Sequence, residues 1–117
     1  MNMCLAVIVL NQVSSLNPLL EAFRQNGIMG ATILNSQGMA HSLYDDEQEE
    51  IHFFGNLRIL LDPQRKESKT ILMVCKESDV PTISAVVNEV TGGLDKPDTG
   101  ILFTVPVNYM EGINRQQ

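Results

Sequence analysis

Met3-Cys-Leu-Ala-Val-Ile-Val-Leu10 is an unbroken apolar run rich in β-branched residues. It has the length of a strand, and its lack of alternation predicts apolar side chains on both faces of a sheet. The same kind of run returns at Thr70-Ile-Leu-Met-Val-Cys75. Each run is followed by a helical stripe and then by a further strand. After the first, Leu16, Leu19, Leu20 and Phe23 share one helical face, with Asn17 as cap and Pro18 in the first turn, and Asn26-Gly27 as the stop. Residues 31–34 then resume an extended strand that ends near Gly38.

After the second run, Ser78-Asp79 and Pro81 mark a helix start, and Val80, Ile83, Val86, Val87 and Val90 form its stripe up to Thr91-Gly92-Gly93. Residues 101–107 close the pattern as a strand. Pro106 cannot donate a ladder hydrogen bond, so that strand is expected to lie at a sheet edge or to be leaving the sheet there. A βαββαβ order with right-handed crossovers predicts an α+β, ferredoxin-like fold: an antiparallel sheet in the order 4-1-3-2, with both main helices on one face. Two helices cover only one side of a sheet whose central strands are apolar on both. The uncovered face therefore requires partners, and an oligomer is expected.

The chain has 117 residues, 44% of them hydrophobic and 5% aromatic, with no Trp. This predicts one domain that buries roughly two thirds of its unfolded surface around an aliphatic core. Eight Lys and Arg stand against fourteen Asp and Glu, a net charge of −6. The phosphate attraction that drives nucleic-acid binding is missing, and nucleic acid is not an expected partner. The first apolar run lacks a preceding Lys or Arg and is far short of the roughly 20 residues that span a bilayer, so neither secretion nor membrane insertion is expected. Cys4 and Cys75 lie inside strand-like runs without a CxxC or Cys–His spacing, and read as buried free thiols at one end of the sheet. A reducing, cytoplasmic location fits them.

Residues 39–69 are too many for a hairpin, and insertions of that size are usually functional or disordered. Five acids occupy six positions from Asp45 to Glu50, and Phe53, Phe54, Leu57, Leu60 and Leu61 recur at helical spacing. The acidic run reads as a solvated segment and the stripe as a short amphipathic helix packed on its own oligomer. His41 and His52 flank the acids and, with Asp45 or Glu49, offer ligands for a divalent ion, yet no zinc-type spacing is present. No resident metal or cofactor is expected. No Ser-centred elbow or His-led constellation appears, which points away from an enzyme.

Three segments resemble the nitrogen-regulatory PII signal-transduction superfamily. Leu16-Asn-Pro-Leu-Leu-Glu-Ala-Phe-Arg-Gln-Asn-Gly-Ile-Met-Gly-Ala-Thr-Ile33 is similar to the family's first helix and its Gly-Ile-x-Gly-x-Thr turn. Ser36-Gln-Gly-Met-Ala40 resembles the Gly-x-Gly base of the long T-loop, with Ala40 in place of the second Gly. Thr91-Gly92, with Gly100-Ile-Leu-Phe103, resembles the ends of the phosphate-contacting B-loop and the strand after it.

The resemblance implies a homotrimer that binds an adenine nucleotide between subunits and signals to a protein partner through the long loop. The matching site residues are Thr32, Gly38 and Met39 at the loop base, and Thr91, Gly92 and Gly93 in the B-loop. Glycines allow close main-chain approach, and turn amides can hold an anion. Two departures bear on the ligand. Gly100 stands where the family has a phosphate-pairing Lys, and Asn108-Tyr-Met-Glu111 replaces paired arginines. Lys96, in the longer loop, is the candidate replacement. The ligand implied is a small metabolite, an adenine nucleotide with few phosphates; the alternative is a metal-responsive or structural ferredoxin-like trimer without a nucleotide site. Tyr44 is a poor match to the family's modified T-loop tyrosine.

Overall fold

In the computed structural model the described residues are 2–39 and 67–112. The expectations for the acidic run, Tyr44, the two histidines and the Phe53-to-Leu61 stripe lie outside them. The elements are β1 (Met3–Leu10), α1 (Leu16–Gln25), β2 (Thr32–Ser36), β3 (Ser68–Lys76), α2 (Val80–Thr91) and β4 (Gly100–Val107). All strand pairs are antiparallel, in the order β2-β3-β1-β4. Four antiparallel strands and two helices make a small α+β fold, compatible with the ferredoxin-like class.

α2 starts where Ser78-Asp79 and Pro81 place it, with Asp79 at the N-cap and Pro81 in the first turn, whereas α1 starts early, with Ser15 and not Asn17 at its N-cap. Each continues a 3₁₀ turn, Val13–Ser15 before α1 and Glu77–Asp79 before α2, and neither N-cap side chain bonds to the helix. Asn17 and Pro18 consequently fall inside the first turn of α1, because the 3₁₀ turn already sets the chain on its helical path. The stop of α2 behaves as read. Gly92 is left-handed at φ 89° and its amide reaches the Asn88 carbonyl. β3 begins two residues before the expected apolar run, since Ser68 and Lys69 pair with Ser36 and Asn35 of β2.

Alternate residues of the central strands form the core. Cys4, Ala6, Ile8 and Leu10 of β1 and Ile71, Met73 and Cys75 of β3 are buried, packed with Leu19 and Phe23 of α1 and Ile83, Val86 and Val87 of α2. The helical stripes therefore supply the cover that the strands need. Burial stops at one face: β1 alternates between half-buried and buried along its length. The second face of the central strands is apolar too and stays open in the single chain, as expected of a sheet with two helices on one side only.

The other face carries three apolar rows set by the register: Val105-Leu5-Val74, Phe103-Val7-Leu72-Thr32 and Ile101-Val9-Thr70-Leu34. Ile101 is 55% exposed and Phe103 44%, values that mark an uncovered apolar surface. β4 lies on the sheet edge, where Pro106 opposite Cys4 interrupts no outer ladder.

Candidate functional site

Strand direction decides which candidate residues share an end of the sheet. Leu10, at the end of β1, pairs with Lys69 of β3 and Gly100 of β4, while Ser36, at the end of β2, pairs with Ser68. Gly38 and Met39, just past β2, thus stand at the same end as the turn from Thr91 to Gly93 and the loop leading to Gly100. Within one chain they lie by opposite edges, β2 and β4. Three strand spacings separate those edges by about 14 Å.

Thr32 is not part of this group. It begins β2 opposite Leu72, about 13 Å back along the strand, in the row with Val7 and Phe103. Its place on the open sheet face comes from a register that sequence spacing does not reveal. Met39 is 79% exposed, and a Cβ at Gly38 would meet nothing within 4 Å. The chain's own packing makes no demand for glycine at position 38.

The turn after α2 is closed by its own hydrogen bonds. Thr91 Oγ1 donates to the Val87 carbonyl at 2.7 Å and accepts from the Gly93 amide at 3.3 Å. Asn88 Oδ1 accepts from the Leu94 amide at 2.8 Å, the Gly92 amide donates to the Asn88 carbonyl, and the Lys96 amide donates to the Gly93 carbonyl. The amides of residues 92, 93, 94 and 96 are thereby engaged within the chain, leaving the anion cradle expected there without four of its donors. Asn88 was missed as the organiser of this turn. Its signal is an amide side chain placed one helical turn before a Gly-Gly stop, where it can reach over the helix end.

Cationic character is instead carried by a side chain. Lys96 Nζ lies 3.9 Å from the position a Gly92 Cβ would take, so the ammonium stands over the glycine turn. Thr99, 1% exposed, anchors the loop: its carbonyl accepts from the Asn11 amide at 3.0 Å.

The two charge departures have different structural origins. Gly100 has φ 150°, and a Cβ there would lie 2.4 Å from the Val9 carbonyl oxygen. Close approach of β4 to β1 therefore excludes any side chain, lysine included. Glu111 follows the opposite end of β4, where Val107 pairs with Met3, about 23 Å from Gly100 along the strand. It accepts a hydrogen bond from the Tyr109 hydroxyl, which holds the phenol's pKa above its ordinary value. Gly100 and Glu111 thus stand by opposite ends of β4 within one chain.

Among the described residues no cluster of three His, Cys, Asp or Glu side chains is arranged to hold a metal ion, and no helix is long and apolar enough to cross a membrane. No family model matches the chain, and no curated protein matches it. Among solved structures, a functionally unknown protein from Pediococcus pentosaceus ATCC 25745 is similar, with a TM-score of 0.63 and 15% identity over 97% of this chain and 99% of that one. At that identity the likeness concerns the fold alone.

Proposed function

We propose that this chain is a PII-like homotrimeric regulatory protein, cytoplasmic and without enzymatic activity. In this reading the segment between β2 and β3 serves as a T-loop-like insertion on a ferredoxin-like sheet, and it reports the bound state of a small metabolite to a protein partner. The observation that carries the reading is the split of the candidate site. Gly38 and Met39 stand by one sheet edge and Gly92, Gly93 and Lys96 by the other, at the same end, so a neighbouring copy is needed to bring one set against the other. The apolar rows of the open face supply the surface on which copies associate.

The ligand expected there is an adenine nucleotide with few phosphates. Lys96 offers one positive charge near the turn, whereas Gly100 can carry none and the turn amides at 92, 93 and 94 are already bonded. A single ammonium matches a monophosphate or a cyclic phosphate better than a triphosphate. Those engaged amides also favour a second reading, a structural or metal-responsive trimer that has lost the nucleotide site.

A thermal-shift panel of adenine mono-, di- and triphosphates, cyclic adenine nucleotides, 2-oxoglutarate, bicarbonate and divalent ions separates the two, since a ligand that binds only the folded state raises its melting temperature. The first reading expects the largest rise with an adenine nucleotide of one or two phosphates. No nucleotide response, or a response to a divalent ion alone, selects the second.

A further inference from the structure

Cys4 and Cys75 are directly opposed on the two central strands. Their sulfurs are 3.7 Å apart, and both thiols are free and buried on the helix-covered face. The pairing type follows from the neighbouring bond. Glu77 donates its amide to the Asn2 carbonyl at 3.0 Å, and in the same register Asn2 stands opposite Glu77. Hydrogen-bonded pairs recur every second residue along an antiparallel ladder, so Cys4 and Cys75 form one as well, with Cα atoms about 5.5 Å apart. That separation lies inside the window a disulfide requires.

We infer that Cys4 and Cys75 are a redox pair, which an oxidant of the peroxide class converts into one intrachain disulfide joining β1 to β3. One thiol releases its proton and the thiolate attacks an oxygen of hydrogen peroxide; the O–O bond breaks, a sulfenic acid forms, and the departing hydroxide takes up that proton and leaves as water. The second sulfur attacks the sulfenic sulfur, the S–O bond breaks, and the hydroxide leaves as a second water after taking up a proton. Two thiols lose two electrons and two protons, and the peroxide is reduced to two waters.

The site sets the pace of this step. Burial, together with the neighbouring Cys4, pushes the Cys75 thiol up to about 12, which keeps it protonated near neutrality. Cys4 is the second residue of β1, so fraying of that strand end opens the pair without disrupting the core as a whole. Slow oxidation that quickens with alkaline pH is expected. The inference depends on neither the assembly nor a ligand, because the pair lies beneath the helices and away from the open sheet face.

Treatment of the folded, reduced protein with hydrogen peroxide, followed by acid quench, unfolding and alkylation with N-ethylmaleimide, tests it. The expected product is a single chain lighter by two hydrogens, unreactive to alkylation, with a peptide linking residues 4 and 75, and restored by dithiothreitol. Cys4→Ser and Cys75→Ser each should abolish the linked peptide. Recovery of two alkylatable thiols while an unfolded control oxidises, irreversible addition of oxygen to either sulfur, or a link between two chains would each overturn the inference.

Discussion

Replacing Gly100 with alanine should cost this fold more than the same change at Gly27, Gly38, Gly92, Gly93 or Gly112. At φ 150° an L side chain is strained, a cost of about 1–3 kcal/mol. The new Cβ would also sit 2.4 Å from the Val9 carbonyl oxygen, so β4 must shift by several tenths of an ångström against β1, where Leu10 pairs with Gly100. The loss of glycine's freedom in the unfolded chain returns about 0.4–1 kcal/mol. Moving the packed strand adds about 1 kcal/mol or more, and the middle of these ranges leaves a net destabilisation of about 2–3 kcal/mol.

For 117 residues the unfolding entropy is about 0.25 kcal/mol per degree, which converts that cost to a fall of about 8–12 °C in melting temperature. Circular dichroism melts of Gly100→Ala and Gly38→Ala, at equal protein concentration, form the comparison. Gly38 has open space and no left-handed backbone, so its variant should melt within about 2 °C of the parent. A Gly100→Ala protein that melts as high as Gly38→Ala would show that strand contact does not explain this glycine, and the account of the missing lysine would fall with it.

Phe103→Asp places a carboxylate in the apolar row with Val7 and Leu72; if the proposed trimer forms, light scattering coupled to size exclusion should report about three chain masses for the parent and one for the variant, and an equal mass for both would remove the open face from the interface. Gly92→Val crowds the left-handed turn beneath Lys96, and should abolish any ligand-induced thermal shift while the oligomer persists, so an undiminished shift would locate the site elsewhere. Between about pH 9 and pH 12 the unfolded Cys75 thiol has lost its proton while the folded one keeps it. The stability it contributes is therefore fully present below that window and declines as pH rises through it, and urea unfolding across the range should show a steeper decline for the parent than for Cys75→Ala.

Local periodicity was sufficient for the existence of the described strands and helices and for the covered faces of the helices. The stripes of α1 and α2 were legible because helical spacing puts Leu19 with Phe23, and Ile83 with Val86 and Val87, on one side whatever packs against them. Pro106 announced an edge because it lacks an amide proton, and Gly92 announced a helix stop because it tolerates a left-handed backbone. The start of α1 was less legible, since the 3₁₀ turn before it takes over the role of a capping side chain. What the tertiary structure alone decided is non-local. Register put Thr32 in a sheet row with Phe103 and away from Gly38, strand direction put Glu111 and Gly100 at opposite ends, and the approach of Val9 removed the side chain at position 100. Sequence spacing measures distance along the chain; the site depends on which strand lies beside which, and that is settled only when the core closes.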